Sequence, residues 1–416
     1  MCPRSGPRVR VPTVPAMISA LEFSRYRGFR DHTSVRLERL TLVYGENNAG
    51  KSALLRLPQI IAASRVNGQA GLDLRAPVLR RAGFRDIQWR GLLSGEEDGD
   101  LVLGITLSDG VRWRWTLRWL ESRSIAVIQR LEVFDKDGQT RLELTRAARD
   151  SPYLRSEGGA MVVVAFDGLL PRPGADPRLD LHRDALSEAL ERVSWLAAVR
   201  EGPSREGAAR GVSGKLEGDG QAAASLVLAD PGLRKAVSSW FKRSCGNSVE
   251  PEALGSEMER LVLRPTSGHD IPFPDAGEGI QQVFPLIVAA ECLRRDGGLL
   301  IVEEPESHLH PKLQRGLAEL IIDVLASQPD ASVLLETHSE VFLVEALLAS
   351  TKRIPRAVGL HWVESGSDGA AVVEEIAIDD AGRPESTRLE RAFDTMGILR
   401  RELIAARRAR ETAHGG

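Results

Sequence analysis

What the sequence has little of narrows its function before any motif is read. Cysteine occurs three times (Cys2, Cys245, Cys292) and never in CxxC spacing. That pattern indicates neither a disulfide framework nor a zinc site, and it fits a reducing, cytoplasmic compartment. No apolar run reaches the ~20 residues needed to cross a bilayer, so no membrane contact is expected. The first 16 residues are basic and proline-rich but lack an apolar stretch, so they do not form a signal peptide. They are expected to be a disordered extension (1–16), with Met17 opening the folded part. An excess of one charge is also missing. The formal net charge of −3 excludes a chain-wide nucleic-acid field and limits any DNA contact to a local patch. No heptad pattern is sustained enough for a long coiled-coil arm, and no internal repeat is visible. What is present is ordinary: 416 residues, 42% of them hydrophobic, enough for one large domain with an insertion or a few smaller ones.

The stretch from Leu40 to Leu55, LTLVYGENNAGKSALL, organises the rest. Gly45, Gly50, Lys51 and Ser52 satisfy G-x-x-x-x-G-K-S/T, with an apolar strand before them and an apolar helical pattern from Ala53 onward. This strand–loop–helix context defines a phosphate site. The glycines allow the tight turn that aims successive N–H groups at phosphate oxygens, and the helix N-terminus adds partial positive charge. The loop Gly45, Glu46, Asn47, Asn48, Ala49, Gly50, Lys51, Ser52 and Ala53 is expected to wrap the phosphates. Lys51 would reach the β/γ-phosphates, and Ser52 would bind Mg²⁺.

Around this centre the chain reads as α/β. Strands are expected at Ile18–Phe23 and Thr33–Leu37. Residues 68–100 are loop-like, with a short helix near Leu79. Leu101–Leu107 and Val111–Trp119 form a hairpin about Asp109-Gly110. In its second strand Trp113, Trp115 and Trp119 alternate with Arg112, Arg114 and Arg118. Period 2 predicts a tryptophan-filled core face and a solvated arginine face, a better fit than a nucleic-acid surface. Strands follow at Ile125–Phe134 and Arg141–Leu144. Residues 146–260 read as a mainly helical insertion, with helices at Asp184–Leu196 and Gln221–Lys242 and one more strand near Met161–Phe166. From Leu261 the order returns to α/β. Helices are expected at Gly279–Arg294, Pro311–Ala326 and Ser339–Ser350, and strands at Leu299–Glu303, Ser332–Glu336, Val358–Val363 and Ala371–Ile378. The domains are therefore 17–145, 146–260 and 261–380, with an arginine-rich helix over 381–416.

Leu299-Leu300-Ile301-Val302-Glu303-Glu304 is an apolar strand ending in two carboxylates, the form of a Walker B segment. Glu303 would hold the Mg²⁺ shell, and Glu304 would orient and deprotonate the attacking water. Further on, Val333-Leu334-Leu335-Glu336-Thr337-His338-Ser339 is a buried strand leading to a histidine. His338 can hydrogen-bond the γ-phosphate or the attacking water. Just before the Walker B segment, Asp275-Ala276-Gly277-Glu278-Gly279-Ile280-Gln281-Gln282 leads two glycines into a helix N-terminus, a second anion site. One triphosphate does not need two such sites in one chain. A head-to-tail dimer does.

The order P-loop, glycine-rich signature, EEPE-x-HLHP and T-H-S resembles the ABC-type head ATPases of the SMC/RecF group. It is most similar to the compact members called OLD-like or AAA-15/AAA-21 ATPases, many of them from prokaryotic anti-phage defence. The opening MISALEFSRYRGFRDHTSVRLERLTLVYGENNAGKS and the segment Trp195–Pro203 carry the resemblance as well. It implies a P-loop NTPase of ABC-head type: a mixed sheet with an N-terminal antiparallel β-subdomain and a mainly helical insertion. It implies Gly277, Gly279 and Gln281 as a signature acting in trans, Ser307–His310 as the D-loop and His338 as the switch histidine. A Q-loop glutamine touching the metal is implied at Gln88, with Gln59 in reserve. Glu303 stands where Asp is usual, and Gln281 where Ser is usual, which weakens the expected trans contact. OLD nucleases add a TOPRIM domain with clustered acids. About 36 residues follow Asp380, and Asp379-Asp380 is not its DxD pattern, so no cleavage by this chain is expected.

Two functions are thus expected. One is an Mg-ATP hydrolase that dimerises on ATP and controls an effector such as a nuclease or toxin. The other is an ATP-dependent scaffold with little hydrolysis. DNA contact is expected only by family analogy and through the C-terminal arginines.

Overall fold

In the computed structural model of the protein, the residues described are 16–68, 70–89, 99–121, 124–146, 153–155, 163–174, 177–206, 208–209, 216, 218–255, 258–379 and 382–386. Of the expected arginine-rich helix over 381–416 only 382–386 are among them, and these are not helical; the expected 1–16 extension up to residue 15 and Met161–Val162 lie outside them.

A six-stranded sheet forms the centre, in the order Val193–Leu196, Gly298–Glu303, Ala331–Glu336, Leu40–Gly45, Val358–Ser365, Ala371–Glu375. The first five strands run parallel and the last antiparallel. Near-continuous apolar sequence is what a parallel strand covered on both faces requires. The Glu303 and Glu336 strands are buried at all six positions each. Alternate side chains feed two cores. Val43, Leu299, Ile301 and Leu334 face one, with the helix Lys51–Ala63. Leu42, Leu300, Val302, Val333 and Leu335 face the other, with the helices Glu278–Asp296 and Pro311–Ser327.

The first core is closed by a seven-stranded antiparallel sheet, ordered Thr33–Arg36, Ile18–Ser24, Leu101–Leu107, Arg112–Leu120, Ile125–Phe134, Thr140–Arg146, Tyr153–Arg155. Trp113 and Trp115 are fully buried in it, and Trp115 Nε1 donates to Leu169 O at 2.9 Å. Trp119 is half-buried against the same core, stacked on Phe84 at 5.5 Å, and the register shift between Thr116 and Leu117 falls on the partner strand. The arginine face differs from the solvated one expected. Arg114 is paired to buried Glu22 at 2.8 Å, and Arg118 to Asp100 at 2.7 Å. Arg112 also lies 3.8 Å from Glu22, so acids neutralise this face and all three guanidiniums have an acidic partner.

The α/β fold with an antiparallel subdomain is therefore as expected, but the stretch 146–260 holds more than helices. The helix expected to reach Leu196 spans Pro177–Glu191, and Val193–Leu196 is instead the edge strand of the central sheet. Helical periodicity does not separate a four-residue buried strand from a helix end, and pairing with the Glu303 strand decided it. The second expected helix is two, Ala223–Ala229 and Pro231–Cys245. Pro231 cannot continue a helix but can start one, and the Asp230 carboxylate caps it by accepting from Gly232 N–H (2.8 Å) and Leu233 N–H (3.0 Å). A hairpin, Asn247–Leu254 with Met258–Pro265, follows. Among the described residues of the strand expected at Met161–Phe166, pairing begins at Phe166, in the short strand Phe166–Asp167. Beyond Leu261 the helices and strands lie within a few residues of expectation, the last strand ending at Glu375.

Candidate nucleotide site

The site lies at the carboxyl ends of the parallel strands. In open α/β sheets this is where loops and helix N-termini converge on a ligand. The Leu40–Gly45 strand delivers the P-loop between the Glu336 strand and the Val358–Ser365 strand. Gly45 has φ +144°, and a Cβ there would sit 1.9 Å from Val363 O, so only glycine lets the loop leave the sheet. Gly50 has φ +105° directly before the helix Lys51–Ala63. Lys51 is buried, and its ammonium donates to Gly45 O (3.1 Å) and Glu46 O (2.7 Å), folded back across the loop. Glu46, Asn47 and Asn48 are exposed at the loop tip, whereas Ala49 is buried.

Around Lys51 the strand ends place four ionisable groups. Glu304 follows its strand in the left-handed region (φ +42°), its N–H donating to Glu336 O at 2.9 Å. That conformation is costly for a residue with a side chain and turns the carboxyl out of the sheet. Its Oε2 accepts from Ser307 Oγ at 3.0 Å. Glu336 is 4% exposed, with Oε1 3.9 Å from Lys51 Nζ. Burial pushes its pKa up to about 7, against the opposing pull of the Ser52 hydroxyl and Lys51. Burial, then Lys51, hold the His338 imidazole below its usual value, so at neutral pH it is uncharged. The ligating atoms of Glu304, Glu336 and His338 all lie within 4.8 Å of one another. His338 N–H donates to Glu306 Oε1 at 2.5 Å, and burial raises the Glu306 pKa.

Glu303, the expected metal carboxylate, is engaged elsewhere. Arg56 on the P-loop helix grips it through Nε and a terminal nitrogen, both at 2.6 Å, and Trp195 Nε1 donates to it at 2.9 Å. Arg80 approaches at 3.4 Å. Gln88 is not at the loop either: its amide donates to Gly99 O at 2.6 Å, beside Arg25 and Asp100. Gln59 is buried on the P-loop helix and lines a cavity of about 650 Å³ with Arg80 and Trp195. Lys51, Ser52, Glu304 and His338 are thus brought together, while Gln88 and Gln59 stand apart from them.

The expected signature segment forms the N-terminus of the helix Glu278–Asp296, with Gly277 and Glu278 exposed. Gly279 packs on the expected D-loop, where a Cβ would come within 2.6 Å of His308 O. The Gln281 amide donates to Ala276 O at 3.0 Å and Pro274 O at 3.4 Å, within its own loop. Behind it, fully buried Arg200 ties the signature helix to the Walker B end. It donates to Gln282 O (3.1 Å), Glu303 O (2.9 Å) and Glu304 O (3.1 Å). Burial pushes its pKa down to about 10, which leaves it charged at neutral pH.

Sequence reasoning missed Glu336, Arg56 and Arg200. Each had a faint signal. Glu336 is a charge ending a six-residue apolar strand, Arg56 stands one helical turn beyond Ser52 in an apolar helix, and Arg200 lies within the Trp195–Pro203 segment.

Residues 253–345 match the family described as "AAA domain, putative AbiEii toxin, Type IV TA system". The chain is similar to the OLD nuclease of Thermus scotoductus, 29% identical over 146 residues, which cover 33% of this chain and 25% of that protein. It thus spans about a quarter of the length of that curated relative. Among solved structures it is similar to the SMC head domain from Thermotoga maritima (11% identity, TM-score 0.43, 87% of this chain and all of that one). It is also similar to an Smc head domain with an extended coiled coil bound to the C-terminal domain of ScpA, derived from Pyrococcus furiosus (11% identity, TM-score 0.49, 92% of this chain and all of that one). No helix among the described residues is long and apolar enough to cross a membrane.

Proposed function

We propose, from the premise that the chain carries an ABC-type ATPase head of the OLD-like group, that it binds and hydrolyses Mg-ATP, pairs head-to-tail on ATP and controls a partner effector. The observation that supports this best is the meeting of the P-loop lysine with Glu304 and His338 at the strand ends. Lys51 exchanges its carbonyl partners for phosphate oxygens, a stronger charge-assisted contact. Glu304, turned out of the sheet and steadied by Ser307, takes the proton of the attacking water. Uncharged His338 hydrogen-bonds the γ-phosphate or that water. Mg²⁺, when bound, neutralises phosphate charge, and Ser52 with an acidic strand-end side chain would hold it. The exposed helix N-terminus at Gly277 and Glu278 is free to face a second copy's phosphates. A nuclease or toxin is the effector this reading favours, by kinship with OLD nuclease.

The test is turnover and mass in one variant. Glu304→Gln is expected to bind ATP as the wild type does, to lose hydrolysis by roughly 100-fold or more, and to double in mass by light scattering with Mg-ATP. Normal turnover in that variant would remove Glu304 from the chemistry. A persistent monomer would remove the trans signature.

One observation favours a second reading, an ATP-dependent scaffold with little hydrolysis. Gln281 spends its amide donors on its own loop, so the trans contact supplied elsewhere by a serine hydroxyl is weakened. A stable ATP-bound oligomer without phosphate release from the wild type would establish it.

A further inference from the structure

We propose that Glu336, rather than Glu303, is the strand-end carboxylate that completes the Mg²⁺ site beside Ser52, with Glu304 and His338 bordering it. This rests on the Mg-ATP reading above and assigns the metal to a residue outside the Walker B strand.

Three observations carry it. The first is that Glu303 is already committed. Both of its oxygens receive Arg56 at 2.6 Å, one also receives Trp195 Nε1, and the side chain is 3% exposed. Turning it toward a cation would strand a buried guanidinium without its counter-charge.

The second is position. In the sheet Glu303 is level with Glu336, and Glu336 with Val43 of the P-loop strand. The Glu336 strand is the direct neighbour of the P-loop strand, and the Glu303 strand is one further out. Glu336 is therefore the acid nearer to Lys51 and Ser52.

The third is an unmet acceptor. Glu336 Oε2 is buried and receives no hydrogen bond, although Oε1 lies 3.9 Å from Lys51 Nζ. A buried carboxylate oxygen without a donor is costly unless something positive arrives. A divalent cation supplies that. Mg²⁺ characteristically takes one or two carboxylates, several waters and substrate phosphates. Glu304 and His338, with ligating atoms within 4.8 Å of those of Glu336, border the same space and can receive or orient such waters. No equivalent unmet oxygen exists on Glu303 among the described residues.

The experiment measures metal rather than turnover. Mn²⁺ replaces Mg²⁺, and free Mn²⁺ is counted by electron paramagnetic resonance in the presence of the non-hydrolysable analogue AMP-PNP. Metal-free binding of a fluorescent ATP analogue is measured in parallel. Glu336→Gln keeps the shape of the strand end. It is expected to retain metal-free nucleotide binding and to weaken Mn²⁺ by about 10- to 100-fold. The paired replacement Arg56→Met with Glu303→Met removes the Walker B acid without leaving a lone buried charge, and it is expected to hold Mn²⁺ within about threefold of wild type. Wild-type Mn²⁺ affinity in Glu336→Gln would overturn the assignment while leaving the ATP reading in place. A loss in the double Met variant as large as in Glu336→Gln would return the metal to Glu303. Failure of the wild type to bind the nucleotide at all would overturn the ATP reading and this assignment with it.

Discussion

The Arg56–Glu303 pair gives a stability prediction whose size follows from burial. The Arg56 side chain is 10% exposed and that of Glu303 3%, and they meet at 2.6 Å. The pair joins the P-loop helix to the strand that ends at Glu303. Burial pulls the guanidinium pKa down, and the hydrogen bonds and charge of Glu303 more than offset this, leaving it above its ordinary value. Removing one member leaves the other as an uncompensated buried charge, typically at about 3–5 kcal/mol. Arg56→Met should fall at the lower end, about 3 kcal/mol, because Trp195 Nε1 and half-exposed Arg80 still serve the carboxylate. Glu303→Met should cost more, about 4–5 kcal/mol, since no other acid contacts Arg56 among the described residues. The double Met variant should return to within about 2 kcal/mol of wild type, because apolar side chains of similar volume replace a desolvated pair. The assay is urea unfolding followed by tryptophan fluorescence and closed as a double-mutant cycle. Single losses below about 1 kcal/mol, or a double loss equal to the sum of the singles, would refute the reasoning.

Other outcomes follow from the same geometry. The Glu336 pKa is raised to about 7 from 4.5, so its contribution to the stability of the nucleotide-free protein is complete below about pH 4.5 and is lost as pH rises through about 7. The fall in unfolding midpoint between pH 5 and 8 should therefore be shallower in Glu336→Gln, and parallel profiles would count against a buried Glu336. Gly45→Ala would place a Cβ 1.9 Å from Val363 O at φ +144°, and a loss of about 3 kcal/mol or more is expected, with ATP binding abolished; wild-type binding in that variant would mean the loop leaves the sheet differently. Trp115→Phe removes the donor to Leu169 O and should cost about 1–3 kcal/mol in thermal unfolding while sparing nucleotide affinity.

Much of the site was legible because it is local. Gly45, Gly50, Lys51 and Ser52 stand within eight residues, and a strand, a tight turn and a helix N-terminus follow from their chemistry without reference to the rest of the chain. The apolar runs ending at Glu303 and Glu336 likewise announced buried parallel strands. The strand Val193–Leu196 was not legible, since its only claim to be a strand is the neighbour it pairs with. The Trp113, Trp115 and Trp119 face was read from period 2, but the stacking of Trp119 on Phe84 depends on a segment that only the fold brings to it.

By itself the sequence determined that a phosphate-type loop leads to Lys51, that acids and a histidine lie at the ends of its buried strands, and that the fold is α/β with an antiparallel subdomain. Which acid serves which role was left to the tertiary structure. Glu303, Glu304 and Glu336 are chemically alike along the chain and separate only in space. Arg56, one helical turn beyond Ser52, reaches across to Glu303 and neutralises it. The left-handed turn at Glu304 frees that carboxyl from the sheet. Parallel pairing sets Glu336 against the P-loop strand, where burial and Lys51 act on it together. Charges separated by hundreds of residues set one another's protonation and partners only once folding brings them within a few ångströms, where the dielectric is low.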